Sequence, residues 1–316
     1  MSTPSTPEVS VVIPTRDRWP LLVRKGLPAA CSQEGVELEV IVVDDSREPP
    51  PTRVALLEDT RVRVLRGSER RGVAAARNAG IAAARGEWIA FLDDDDMWSP
   101  EKLRRQLDAA HDTNADFVYS GVVSVDAAGS VMHEHPVPSP DDLDRALLAR
   151  CVIPAGASNV LALGVLVREV GGFDIAFRYL ADWDLWIRLA QAGRAAAAPG
   201  VLVAYLEQLD GMSLEVPKRA FRELSALEAK YRTLRKQHDV SIDSVAFMHD
   251  AAWLQLRRRR HGAAARIYLR SAIVNRRPRD VVPAVRFALR ALVPMRRSLK
   301  APVGAEITPA PRWLDV

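Results

Sequence analysis

Two cysteines in 316 residues, Cys31 and Cys151, stand far apart and outside any metal-type spacing. That scarcity excludes a disulfide-stapled scaffold and a cysteine metal site, and it leaves reduced, partly buried thiols as the expectation. No stretch comes near the ~18 uncharged apolar residues that a membrane-spanning helix needs. The opening "MSTPSTPE" has neither the basic nor the apolar segment of a secretion signal. Residues 1–8 therefore read as a disordered lead, and the chain as cytoplasmic. Aromatic residues make up only 6% and do not interleave with the basic stretches, which argues against nucleic-acid binding.

What is present is unevenly distributed. A hydrophobic fraction of 48% is ample for a packed core. The formal charge of +4 hides a division: residues 218–300 hold 21 Lys/Arg and 6 Asp/Glu, a balance of +15, and the rest of the chain carries −11. An acidic front and a basic rear are expected to do different jobs.

The front alternates β-branched runs with helix-like stretches. "EVSVVIP" and "LEVIVVDD" end in Pro or Asp, and "WPLLVRKGLPAACSQ" between them can supply a crossover helix. "RVRVLRG" alternates as a half-buried strand does, "VAAARNAGIAAARG" is an Ala-rich helix with Gly86 as its expected stop, and "EWIAFLD" is a further strand. This order predicts an α/β fold with a wound, mostly parallel sheet, whose ligands bind beyond the carboxyl ends of the strands. Further on, "DFVYSGVVSVDAAG" predicts a hairpin and "NVLALGVLVREVGGFD" a strand, short helix and turn. "ADWDLWIRLAQAGR" predicts a helix with Trp183, Trp186, Ile187 and Ala190 on one face, and "AAAAPGVLVAYLEQ" one more strand. After about residue 218 the chain reads as helical and Arg-rich, with a tail at 301–316.

Polar groups gather at the strand ends: Pro14, Thr15, Asp17 and Arg18 after the first, Asp44 and Asp45 after the second, and Asp93 to Asp96 after a later one. In extended backbone Asp93 and Asp95 share one side and Asp94 points away. Such a pair is a hard-oxygen half-site for Mg²⁺ or Mn²⁺, with phosphate oxygens and water completing the shell. A solvated acidic turn is the plainer alternative, and Asp96 fits the start of the following helix. Asp44 and Asp45 can accept a hydrogen bond from a base N–H or a ribose hydroxyl, or can form an Asx turn. Arg71, at a helix start, suits a diphosphate or plain solvation. Arg77 and Asn78 lie among small residues, where an isolated charge is expected to be buried or to face a cleft. Asp182 opens the Trp-rich helix as a cap or as a general base whose pKa the neighbouring indoles would raise.

Taken in order, "VSVVIPTRDR", "VIVVDDS", "RGVAAARNAGI", "FLDDDDMWSPEKL" and "VGGFDIAFRYLADWDLWIRL" resemble the motifs of the family 2 glycosyltransferases over about residues 9–213. The resemblance implies a GT-A fold over 9–216, with 9–98 the nucleotide-binding half and 99–216 the acceptor half, followed by a basic helical extension at 217–300. It implies an inverting transfer of a sugar from a nucleotide-sugar donor, a UDP-sugar first, to a hydroxyl acceptor. Asp182 would be the base, Asp93 and Asp95 the metal pair, and Pro14, Thr15, Arg18, Asp44, Asp45, Arg71, Arg77, Asn78, Asp93 and Asp94 the donor contacts. A cell-envelope glycan, a lipid-linked intermediate or a secondary metabolite would be the acceptor. The sequence departs from that pattern in four places: Asp17 replaces the usual Asn, Ser46 the usual Gly, Ala181 the usual Glu, and Gln208 stands near the usual His.

Two alternatives remain at this level. A sugar-nucleotidyltransferase would show a Gly-rich N-terminal loop, which "VVIPTRDRW" lacks. A non-catalytic nucleotide-sugar-binding module would be favoured by Ala181 and Gln208. The rear segment, with Ala265, Ile267, Leu269 and Ile273 among arginines, reads either as a helical cap or as a peripheral contact with the inner face of a membrane.

Overall fold

The computed structural model describes residues 6–47, 58–66, 72–207, 216–292 and 310–314. Arg71 and Gln208 lie outside the described residues, as does most of the tail. The chain divides into two compact units, one of residues 1–147, 151–207 and 307–316, the other of 148–150 and 208–306.

The first unit is built on a nine-stranded mixed sheet. It opens with β1 (Val9–Thr15), α1 (Trp19–Arg24), α2 (Gly26–Cys31), β2 (Leu38–Asp44), β3 (Val62–Arg66), α3 (Val73–Ala83) and β4 (Trp88–Phe91). There follow β5 (Met97–Trp98), α4 (Lys102–Thr113), β6 (Phe117–Val125), β7 (Val131–His135), α5 (Leu143–Ala149), β8 (Leu161–Leu163), α6 (Gly164–Glu169), α7 (Ala181–Ala192) and β9 (Ala195–Leu206). Strand order is β3-β2-β1-β4-β8-β6-β9-β5, with β7 on β6. The first four strands are parallel, as the alternation of strand and helix requires. β8 then enters antiparallel to β4 and to β6. Every residue of β1, β2, β4 and β6 is buried, which is why these strands are continuous β-branched and aromatic runs. Each apolar side chain removed from water here contributes about 1.5–3 kcal/mol.

The strand ends lie where the sequence indicated, and three local expectations are corrected. Residues 94 and 95 form a turn, with Asp96 N–H donating to Asp93 O (3.3 Å), so the two-sided alternation of a strand does not apply to the aspartates. Asp96 does not start a helix: β5 intervenes, and Asp96 is wholly buried, accepting from Ser158 Oγ (2.5 Å) and Leu206 N–H (3.0 Å). Gly86 is no helix stop: a Cβ there would lie 2.6 Å from Ser10 N, so the glycine permits close approach to β1.

The second unit contains α8 (Val216–Lys230), α9 (Arg232–Gln237), α10 (Ser244–Arg257), α11 (His261–Val274) and α12 (Val281–Leu292). Asp243 caps α10 by accepting from Ala246 N–H (2.9 Å). A small core joins Phe221, Met248, Ala252, Ala264 and Ile267. The single apolar stripe expected on α11 splits: Ala265 and Ile267 are buried, whereas Leu269 and Ile273 are exposed. No helix among the described residues is long and apolar enough to cross a membrane.

Candidate active site

The carboxyl ends of β1, β2 and β4 converge on a set of charged side chains. Thr15, the last residue of β1, donates from Oγ1 to Asp94 Oδ2 (2.8 Å). Arg18 donates to Asp95 Oδ2 and lies 3.2 Å from Asp94 Oδ1. Between them, Asp17 adopts a left-handed backbone (φ 56°) and its N–H donates to Ser46 Oγ (2.7 Å). Asn and Asp are the non-glycine residues that tolerate this conformation, so Asp17 does the backbone work of the Asn usual in the resemblance.

Arg77 organises the centre. Its side chain is 4% exposed, and it donates through Nη2 to Asp93 Oδ1 (2.5 Å) and through Nη1 to Asp182 Oδ1 (2.8 Å). One guanidinium thus joins the loop after β4 to the first turn of α7. Phe173 lies under it, 5.1 Å from ring centroid to guanidinium carbon. The other atoms of the "RNAG" segment serve the scaffold. Asn78 was expected to touch donor, but its amide is spent on Phe173, donating to the carbonyl and accepting from the N–H (both 2.8 Å). Gly80 admits β1: a Cβ there would meet Val12 Cγ1 at 2.2 Å.

Asp182 is held from three directions. Arg77 takes Oδ1, the Ala157 backbone hydrogen-bonds to the carboxylate, and Gly156 leaves room for Oδ2, which a Cβ there would meet at 2.6 Å. Gly156 also has φ 48°, so the position favours glycine twice over. Asp184, the other acid of the helix start, is fully buried and paired with Arg188 (2.7 Å). It therefore belongs to the helix packing. Ser158, which no motif singled out, ties the aspartates together: Oγ accepts from Asp93 N–H (3.0 Å) and donates to Asp96. The only signal for it was the small-residue run "AGASN".

Asp44 and Asp45 part company. Asp44 is fully buried, takes Arg66 Nη1 (2.5 Å) and accepts from Ser46 N–H (2.9 Å), forming an Asx-type turn. It has no face left for a base or ribose. Asp45 Oδ2 is buried with no hydrogen-bond partner among the described residues. A buried acceptor without a donor is costly.

Crowding and burial shift the cluster's pKa values. Burial pushes Asp94 up to about 7 against the pull of Arg18. Burial, then the charge of Asp93, raises Asp95. Burial also raises Asp182, with Arg77 opposing and Asp93 adding to it. Asp93 and Asp95 keep 33% and 16% of their side chains exposed, whereas Asp94 and Asp96 are buried. No cluster of three or more His, Cys, Asp or Glu among the described residues forms a complete metal cage. One or two carboxylates with phosphate oxygens is the usual Mg²⁺ arrangement; here the candidate pair, Asp93 and Asp95, is held by Arg77 and Arg18 respectively.

Residues 10–154 match the family described as glycosyl transferase family 2. The succinoglycan biosynthesis protein ExoO of Rhizobium meliloti (strain 1021) is 31% identical over 218 residues, covering 63% of this chain and 60% of that protein. An uncharacterized glycosyltransferase of Haemophilus influenzae is 28% identical over 108 residues, 33% of this chain and 36% of that one. The chain therefore spans about 60% and 36% of the lengths of these two curated relatives. Among solved structures, S. aureus TarS 1–349 in complex with UDP-GlcNAc superposes with a TM-score of 0.56 at 19% identity, covering 70% of this chain and 65% of that one. That likeness shows the fold.

Proposed function

We propose a donor, a base and a stereochemical course for this chain, which belongs to family 2 of the glycosyltransferases. The donor is a nucleotide sugar, a UDP-sugar first, since the TarS structures of the same fold carry UDP-GlcNAc and UDP. The acceptor is a hydroxyl on a growing glycan, in line with the succinoglycan role of ExoO. Transfer is an inverting single displacement.

The observation that carries this reading is the shared guanidinium of Arg77, with Asp93 on one side and Asp182 on the other. It holds a candidate base beside the acidic edge that would receive the donor. Asp182 takes the proton of the acceptor hydroxyl as its oxygen attacks the anomeric carbon. The bond from that carbon to the diphosphate oxygen breaks, and the electron pair leaves with the nucleoside diphosphate. A carboxyl whose pKa is raised by burial is a stronger base than a free aspartate. Arg77 moderates that rise and fixes the carboxylate's direction, which contributes through positioning. Arg18, part-exposed and paired with Asp94 and Asp95, can turn to the departing diphosphate, and Arg71 is offered for the same role. A divalent cation on Asp93 and Asp95 would supply further charge stabilisation to the leaving group when bound. The unpartnered oxygen of Asp45 suits the N–H of the donor's base, and Pro14 and Thr15 are offered as neighbouring donor contacts.

The direct test is Asp182→Asn assayed with a panel of UDP-sugars and glycan acceptors, alongside calorimetry of UDP binding with and without Mn²⁺. Transfer should collapse while UDP binding persists. Undiminished turnover in the variant would remove Asp182 as the base.

A further inference from the structure

The second unit has a helix that is apolar where it should be polar. On α12, Ala284 is buried, while Val282, Val285 and Leu289 are 71%, 52% and 59% exposed. Their spacing of three, four and seven places them on one helical face, away from Ala284. A surface helix normally turns its charged residues to water, and an exposed apolar face rimmed by charge marks an interaction site. Arg286 and Arg290 flank that face along one side by the same periodicity, and Arg279 lies exposed in the 3-10 turn just before the helix. Leu269 and Ile273 on α11 are also exposed.

The charge around this face has one sign. Residues 244–292 contain 11 arginines and two acids, Asp250 and Asp280. Asp280 is buried, accepting from Ser271 Oγ (2.6 Å) and facing His249, and Asp250 pairs with Arg150. The surface thus asks for a partner that is polyanionic and offers an apolar medium beneath its charges. A nucleic acid has the charge but no place for Val and Leu. A second copy docking by this same face would set arginine against arginine.

We propose that the outward face of α12 docks this protein on an anionic lipid bilayer. Val282, Val285 and Leu289 enter the boundary between headgroups and acyl chains, and Arg279, Arg286 and Arg290 meet the phosphates. That is the arrangement of an interfacial amphipathic helix. The inference stands apart from the catalytic reading, since it rests on residues of the second unit alone.

The test is co-sedimentation of the full chain with phosphatidylcholine vesicles, with and without added phosphatidylserine. Binding should require phosphatidylserine and weaken as salt rises toward about 0.5 M, where screening is short-ranged. Val285→Asp with Leu289→Asp should cut partitioning at least about tenfold, since buried apolar area and charge both contribute. Arg286→Glu with Arg290→Glu should cut it by about fivefold or more per residue. Both pairs lie on the surface, so thermal unfolding should stay unchanged. Absence of binding to phosphatidylserine vesicles, or equal binding to both kinds, overturns the proposal. So does a Val285→Asp, Leu289→Asp variant that binds as the parent does, which would indicate a purely electrostatic polyanion site. Concentration-dependent self-association lost in that variant, without vesicle binding, would reassign the face to a second copy.

Discussion

The two units of this chain use charge in opposite ways. In the first, acidic groups are buried at strand ends and are met by named partners: Arg77 on Asp93 and Asp182, Arg18 on Asp94 and Asp95, Arg66 on Asp44. In the second, the charge is basic and the exposed helix faces mix arginine with aliphatic side chains. Buried, paired charge is expensive to assemble and marks a place where chemistry justifies the expense. Exposed charge beside exposed apolar surface costs the fold little and marks a place where something else binds. The difference distinguishes the proposed reacting site from the proposed docking face.

The largest effect should come from the base. Asp182→Asn is expected to lower turnover by about 10²–10⁴-fold, the span of general-base catalysis, with UDP affinity nearly unchanged. An equal loss in UDP affinity would move Asp182 from the reaction to donor binding. Next is the buried bridge. Arg77→Ala strands two carboxylates and should cost about 3–5 kcal/mol, a fall of roughly 10 °C in thermal midpoint. The comparison breaks if this variant is as mild as a surface one.

Proton linkage provides the third prediction. Asp94 is pushed up to about 7 from an ordinary 3.8, so the folded state binds its proton more tightly than the unfolded state does. Stability from this group is fully present below pH ~4, declines as pH rises to ~7 and is level above that. At about 1.4 kcal/mol per unit, the decline is at most about 4 kcal/mol. Asp95, Asp96 and Asp182 are raised as well and act with the same sign. Glu39, Asp59 and Asp280 are held below their ordinary values and act oppositely, in a lower pH range. Urea unfolding from pH 4 to 8 should show the slope, and Asp94→Asn should flatten it. A rising slope over that interval would contradict the reading.

Smaller effects sharpen the contrast within single motifs. Asp45→Asn should weaken UDP binding by about 1–2 kcal/mol, the scale of one hydrogen bond to a charged group, and leave stability nearly intact. Asp44→Asn should do the reverse, lowering the midpoint through the lost Arg66 pair. The smallest change belongs to the exposed Arg104–Asp108 pair, 2.8 Å apart on α4. Arg104→Ala should cost no more than about 0.5 kcal/mol.

Strands, helices and the polar strand ends were legible in the chain because they depend on local periods: β-branched runs for β1, β2 and β4, an Ala-rich run for α3, and Asp or Thr where each apolar run stops. The resemblance of five ordered motifs named the family for the same reason. What those motifs do was decided only in three dimensions. Arg77 and Asp182 are 105 positions apart, and Thr15 and Asp94 are 79 apart. Only the folded sheet shows that Asn78 is spent on Phe173, that Asp96 is buried and accepts from Leu206 N–H, and that Asp44 is paired while an oxygen of Asp45 is buried without a partner among the described residues. The apolar face of α12 was likewise hidden, because helical periodicity shows that a face exists and not whether it turns inward. A residue's local conformation is set mostly by its neighbours in sequence. Its partner, its burial and therefore its pKa are set by neighbours in space, and these only the tertiary structure supplies.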